Sequence, residues 1–205
     1  MTHVSPETLA ELRAHLRELT NEPPGWWQAC SELRRSHDET ARALLVDSLR
    51  AGTLDIATLK TVLFHADRDL SRTTGKEIGR RYGHTFAVHL SNMGWMHDAR
   101  FGRMADALLG LLAERRTLDE VLDDQHELSG FVFVTLAAFL LDPTNYLPWI
   151  AAVHRSVDSL CPPLPRRTPN RAAYQMFLSR THALTTSFDC PPHMVDQLLH
   201  GVSAV

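Results

Sequence analysis

Apolar residues recur every three or four positions along most of this chain, and strand-like alternation of apolar and polar residues is nearly absent. Leu9, Leu12, Leu16 and Leu19 illustrate this spacing, which places the apolar side chains on one face of an α-helix. The stretch 131–141 is apolar on every side, as is typical of a helix that other helices surround. The pattern therefore predicts an all-α fold, a single compact helical domain with a central buried helix near 131–141.

Capping and stop signals indicate where the helices begin and end. The sequences at 36–39 and at 117–120 each carry serine or threonine followed three positions later by glutamate, which is the capping box of a helix N-terminus. Gly52 is placed to end the helix that begins near position 36, and Asp142 followed by proline is placed to end the central helix. Further helices are predicted over 55–70, 104–115, 147–160, 171–186 and 194–200.

Length and composition are those of one globular unit. The chain has 205 residues, of which 44% are hydrophobic and 22% are charged, and a chain of this kind can bury a core without disulfides or metals. A proline-rich stretch at 161–170 predicts a connector before a C-terminal helical extension, which is too short to hold a core of its own. We therefore predict one all-α domain over 1–205.

The cysteines and the apolar runs bear on where the protein works. Three cysteines, none of them in a CxxC pair, indicate reduced thiols. The longest apolar run, at 128–141, is shorter than the roughly 20 residues that cross a bilayer as a helix. Glu7, Glu11 and Arg13 interrupt the region where a signal peptide would need an apolar core. These features predict a cytoplasmic protein with no membrane partner.

Charge is distributed unevenly, although the net charge of the chain is only −3. The segment 72–116 carries eight basic and four acidic residues, the segment 118–142 six acidic and no basic ones, and the segment 153–180 five arginines and one aspartate. Basic residues four positions apart form a stripe on a helix, which is either a solvated face or a phosphate-binding surface. In the second interpretation, the residues that bind DNA phosphates are Arg72, Lys76, Arg80, Arg81, Arg100 and Arg103.

The segment 128–140 resembles a helix-hairpin-helix. It has Gly130, then Thr135 and an apolar helix. In that motif, the backbone amides of a glycine-rich turn contact a DNA phosphate, as amides at helix N-termini contact anions. The segment departs from the motif at Val132 and Val134, where a second glycine and a basic residue are usual.

The stretch that follows, 141–149, contains an aspartate-proline pair and then two aromatic residues on either side of a second proline. It resembles part of the helical module that precedes the motor or nuclease parts of McrB-type and other modification-dependent restriction proteins, to which the phosphorothioate-sensing sulfur-binding domains look related. This resemblance covers about 130–160 and implies a DNA-recognition module with an apolar dent for the modified group. By the resemblance, the positions of the dent are Tyr146 or Leu147, Pro148, and Ala151 or Ala152. We expect the recognition dent to consist of Tyr146, Pro148 and Trp149, with His154 and Arg155 at its edge. In the alternative interpretation, the aromatic residues pack on the central helix.

Signals of catalysis are weak. Helix-hairpin-helix glycosylases, a more distant resemblance, carry a catalytic aspartate just after this stretch, whereas no carboxylate lies between Asp142 and Asp158 here. His65 and Asp69 stand four positions apart and could share a helix face, but a salt-bridged or solvated face is the ordinary interpretation of such a pair. No HExxH, GxSxG or P-loop pattern occurs. We therefore assign no catalytic residue, no metal and no cofactor.

The sequence thus predicts a non-catalytic DNA-binding module that recognises modified DNA in restriction-modification, defence or repair, with a nuclease as an expected partner. A second class is a protein-interaction or regulatory subunit, as a homodimer, whose acidic segment 118–142 meets its partner. A third class is a DNA glycosylase-like or metal-dependent enzyme. Steep salt dependence of binding marks the first class, a defined oligomer marks the second, and activity that a chelator abolishes or a released base marks the third.

Overall fold

The structure is a computed structural model that describes residues 26–66, 98–124, 128–149 and 171–188, together with positions 6, 7, 10, 13, 14, 17 and 194. Helices make up 82% of the described residues and no strand occurs among them, which confirms the all-α prediction. The predicted connector at 161–170 lies outside these ranges, as does the predicted helix at 194–200 apart from its first position. The helices are α1 (Trp26–Ala51), α2 (Ile56–His65), α3 (Asp98–Leu112), α4 (Leu118–Asp123), α5 (Leu128–Leu141) and α6 (Arg171–Phe188).

A tight turn joins α1 to α2, and the two helices pack against each other. Gly52, with a φ angle of 64°, ends α1 in the left-handed conformation that glycine adopts without strain. Asp55 then caps α2, because its carboxylate accepts the backbone N–H of Thr58 at 2.7 Å. This hydrogen bond also holds the pKa of Asp55 below its usual value. The predicted helix end at Gly52 is therefore confirmed.

The beginning of α1 differs from the prediction at 36–39. The helix runs through this stretch without a break, so Ser36 lies within it and caps no helix. The carbonyl oxygen of Ser36 instead accepts the hydroxyl of Thr40 at 2.9 Å. The turn before Ser36 already packs against the core, since Leu33 is partly buried and Arg34 is fully buried. Tertiary packing thus extends the helix past a local start signal.

The predicted central helix is confirmed as α5. Every residue from Phe131 to Leu140 is buried, with at most 4% of its surface exposed. Contacts from α1, α3 and α4 surround it, which explains why all of its sides are apolar. Neither α5 nor any other helix in the described ranges is both long and apolar enough to cross a membrane.

The core around α5 is closely packed. Where α1, α2, α3 and α5 meet, nine apolar side chains leave a cavity of about 10 Å³. Such a volume holds no more than about one water molecule, and its apolar lining offers that water no hydrogen bond. This cavity is therefore a packing defect and too small to be a ligand site.

The connection from α3 to α4 follows its sequence signals. Glu114, with a φ angle of 55°, adopts the left-handed conformation after the end of α3. Thr117 and Glu120 then form the predicted capping box, in which the amide of Thr117 donates to the Glu120 carboxylate at 2.7 Å and the amide of Glu120 donates to the Thr117 hydroxyl at 3.3 Å. The prediction at 117–120 is therefore confirmed, and α4 begins where its sequence indicates.

Candidate functional site

A compact turn follows the central helix and begins at Asp142. The Asp142 carboxylate accepts the backbone amides of Thr144 and Asn145, each at 3.2 Å, and the side-chain amide of Asn145 at 2.7 Å. The amide of Tyr146 then donates to the carbonyl oxygen of Asp142 at 3.1 Å. Aspartate side chains commonly form such turns with the backbone that follows them. The chain therefore leaves α5 sharply, and we call the residues after the turn, 146–149, the return segment.

Two buried side chains hold the backbone of the return segment. The amide of Trp149 donates to the hydroxyl oxygen of Thr135 at 3.0 Å, and this hydroxyl donates in turn to the carbonyl oxygen of Val132 at 3.0 Å. The hydroxyl of Tyr174 in α6 donates to the carbonyl oxygen of Leu147 at 2.7 Å. A buried backbone group needs such a partner, because an unsatisfied one is costly. The return segment is therefore fixed against α5 and α6.

These tethers correct the prediction of a helix over 147–160 at its first residues. Positions 147, 148 and 149 are not helical. The carbonyl of Leu147 and the amide of Trp149 bond to side chains of other elements. Positions 150–160 lie outside the described residues.

Four aromatic rings pack together beneath the return segment. The ring of Trp149 lies edge-on to Phe131 and Phe177, with centroid distances of 5.6 Å and 5.3 Å, and 6.2 Å from the ring of Tyr174. Tyr174 in turn lies edge-on to Phe131 and stacks with Phe177. We call these four residues the aromatic cluster. Edge-to-face pairs are the favoured arrangement of aromatic rings, so the cluster fastens the return segment to the core.

The structure places the predicted dent residues at different depths. Pro148 is buried, and Trp149 exposes 8% of its surface while its ring lies in the aromatic cluster. Tyr146 is half-buried and packs against the core with the rest of its ring. His154 and Arg155 lie outside the described residues. Of the described dent residues, Tyr146 is therefore the one that a ligand can reach.

The predicted phosphate-binding residues are described only in part. Arg100 and Arg103 are both exposed on α3, whereas the neighbouring Phe101 and Met104 are buried in the core. Asp106, one turn further along the same helix, is also exposed. Arg72, Lys76, Arg80 and Arg81 lie outside the described residues. The structure thus brings two of the six predicted residues together on one outward helix face.

The acidic segment 118–142 is largely paired within the chain. Asp123 forms an ion pair with Arg171 at 2.9 Å, and Asp119 accepts the side-chain amide of Gln175 at 2.9 Å, so that α4 is joined to α6. The remaining described carboxylates of the segment are also engaged: Asp124 with Arg116, Glu120 in the capping box and Asp142 in the turn after α5. A protein partner approaching this segment would therefore meet carboxylates that already have partners.

Two histidines lie together where α1 and α2 pack. The ring centroids of His37 and His65 are 5.9 Å apart, with 64° between the ring planes. Burial lowers the pKa of His65, and the charge of the neighbouring His37 lowers it further. Asp69, which could share a helix face with His65, lies outside the described residues. The described residues contain no group of three or more histidine, cysteine or acidic side chains placed to hold a metal.

Sequence analysis named Thr135 only as part of the helix-hairpin-helix resemblance, without its role in holding the return segment, and it did not single out Tyr174. Thr135 was visible as the polar residue inside an otherwise apolar helix, and a fully buried hydroxyl needs a hydrogen-bond partner. Tyr174 gave no comparable signal, because its partner Leu147 lies 27 positions away in the chain.

Comparison of the chain with protein-family models, with curated proteins and with solved structures gives no match. What the described residues define is a class of fold, an all-α protein whose central apolar helix is followed by a tethered return segment. The function of the site is therefore argued from its own residues.

The tether from Tyr174 leads to a prediction for stability. In Tyr174→Phe, the buried carbonyl of Leu147 loses its donor, and we expect the free energy of unfolding at pH 7 to fall by about 1 to 2 kcal/mol.

Burial raises the pKa of Tyr174 well above its usual value, so the folded protein keeps this proton where the unfolded chain loses it, above about pH 10. The free energy of unfolding of the wild type should therefore decline as the pH rises above about 10, and the variant should lack that component. Urea titrations of the wild type and the variant at pH 7 and above about pH 10 measure the free energy of unfolding under both conditions. If this free energy depends on pH in the same way in both proteins, the prediction is contradicted.

Proposed function

We propose that the protein is a non-catalytic DNA-binding module that contacts backbone phosphates with its basic residues and recognises a modified group beside the return segment. The observation that carries the proposal is the exposed pair Arg100 and Arg103 on the outer face of α3. Residues three positions apart on a helix are neighbours on its surface, so both guanidinium groups can reach one run of phosphates. Guanidinium also fits a phosphate with two parallel hydrogen bonds.

The sequence before α3 adds to this positive charge. Arg72, Lys76, Arg80 and Arg81 precede the helix, and the segment 72–116 as a whole carries eight basic and four acidic residues, a surplus of four positive charges. The whole chain has a net charge of −3, so DNA has to be met by a local surface of this kind.

The return segment supplies the recognition part of the proposal. Its backbone is fixed at Leu147 and Trp149, and the turn at Asp142 fixes its beginning. Binding residues are commonly carried by segments outside regular helices that a rigid scaffold holds in place. In the proposed complex, Tyr146 contacts the modified DNA, Pro148 and Trp149 form the floor beneath it, and His154 and Arg155 complete the edge. The module would lend specificity to a nuclease in defence or repair, in keeping with the family resemblance.

Fluorescence anisotropy with a panel of DNA probes tests the proposal. The panel holds a plain duplex, base-modified and phosphorothioate duplexes and a single strand, each at low and near-physiological salt. We expect binding that weakens steeply with salt and favours one modified duplex. Arg103→Gln should weaken binding to every probe and reduce the slope of log affinity against log salt by about 1, without changing the preference among duplexes.

Arg42→Gln is the matched control, because Arg42 is also exposed but lies on α1, outside the proposed surface. It should leave affinity and salt slope close to those of the wild type. No binding at low salt would overturn the proposal, and equal losses in the two variants would show that α3 contributes only general positive charge. Binding without any preference among duplexes would keep the phosphate-contact part and remove the recognition part.

A further inference from the structure

His37 and His65 form a cluster that the proposed function does not use. They project from two different helices, and their ring centroids are 5.9 Å apart. Both side chains are half-buried, so solvent reaches each of them. The two helices are packed along each other and joined by the short turn at Gly52, so the relative position of the two rings is set by the fold.

The distance between the rings is close to that of two histidines sharing one metal ion. With zinc–nitrogen bonds of about 2.0–2.1 Å and tetrahedral angles, two ligating imidazoles have centroids about 5.2 Å apart. The observed 5.9 Å exceeds that value by about 0.7 Å, so the two rings have to approach each other slightly to share one ion. Imidazole nitrogens suit zinc, copper and nickel, whereas magnesium and calcium prefer oxygen ligands.

We propose that His37 and His65 form a two-imidazole site for a divalent transition-metal ion that clamps α1 to α2. The described residues contain no group of three histidine, cysteine or acidic side chains placed to hold a metal, so the proposal names two protein ligands. A site with two protein ligands binds its metal reversibly. The bound metal stabilises the folded protein by an amount that grows with the logarithm of the free metal concentration once this exceeds the dissociation constant. The site is independent of the proposed DNA surface on α3.

Zinc chloride titrated into the full-length protein, followed by calorimetry and by the melting temperature, tests the site, with magnesium chloride as the comparison. We expect zinc but not magnesium to bind and to raise the melting temperature. His37→Asn and His65→Asn should each weaken zinc binding by at least about tenfold, since the loss of even a supporting group near a metal has effects of that size. His84→Asn, a matched change at a histidine outside the described residues, should bind zinc as the wild type does.

Circular dichroism first shows that each variant is folded. If one of the two variants fails to fold, the other carries the test alone, because each removes one of the two proposed ligands. The proposal is overturned if zinc does not bind the wild type. It is equally overturned if His37→Asn binds zinc as tightly as His84→Asn does, since the zinc would then be held by other histidines.

Discussion

Trp149→Ala is expected to lower the free energy of unfolding by about 3 to 5 kcal/mol, the usual range for removing a buried tryptophan. The side chain is 92% buried and contacts three rings of the aromatic cluster, so its removal leaves a cavity lined by Phe131, Tyr174 and Phe177. Single domains have about 5 to 15 kcal/mol of stability in total, so this loss would be a large share of it. Urea denaturation followed by circular dichroism measures the change.

Trp149→Phe is the matched control, because it keeps an aromatic ring in the cluster and should lose clearly less stability. The pair also separates the two interpretations of this residue. If Trp149→Ala leaves the stability unchanged but abolishes a preference among modified duplexes, the ring is a recognition surface and its packing role is refuted. If Trp149→Ala is the least stable protein, Trp149→Phe is intermediate and the wild type is the most stable, the packing role is supported. Recognition is then left to the exposed part of Tyr146.

The central helix could be predicted from sequence because a helix that is buried on all sides has apolar residues at nearly every position. A helix that water touches has a polar face, and 131–140 has none. The capping box at 117–120 was equally predictable, because the chain turns at Glu114 and the helix that follows has to start anew.

The same capping pattern at 36–39 failed, and the reason is not local. Leu33 packs against the core and Arg34 is buried beside it in the chain, so the helix already exists where Ser36 would start it. A capping signal is worth about 1 kcal/mol, so it does not by itself decide where a helix begins. The capping patterns at 36–39 and 117–120 look alike in the sequence. The sequence alone does not show that only the first is preceded by a helical turn that packs against the core.

The return segment was the least predictable part of the site. Its apolar residues suggested a helix from Leu147 onward, whereas its backbone groups bond to Thr135 and Tyr174, which lie 14 and 27 positions from their partners. The basic residues were visible in the sequence, but only the structure shows that Arg100 and Arg103 face away from the core. Patterns along the chain thus predicted helices and charge, while the contacts that shape the site are long-range.

Thr135→Val is expected to lower the free energy of unfolding by about 1 to 3 kcal/mol, although valine has nearly the shape of threonine. The substitution removes the oxygen that accepts the amide of Trp149 and leaves that amide unsatisfied in the interior. Amide hydrogen exchange of Trp149 gives a local measurement, because the N–H that loses its acceptor should exchange faster while the amides of α5 stay protected.

Thr135→Ser separates the hydroxyl from the methyl group. Serine keeps the acceptor and loses one methyl group, a change of about 1 kcal/mol, so the Trp149 amide should remain protected even though some stability is lost. If the amide is as well protected in the valine variant as in the serine variant, the tether does not hold the return segment. If the tether does hold it and the proposed recognition is correct, Thr135→Val should reduce the preference for modified DNA without changing the salt slope, because the loosened segment carries Tyr146 while the phosphate contacts lie on α3.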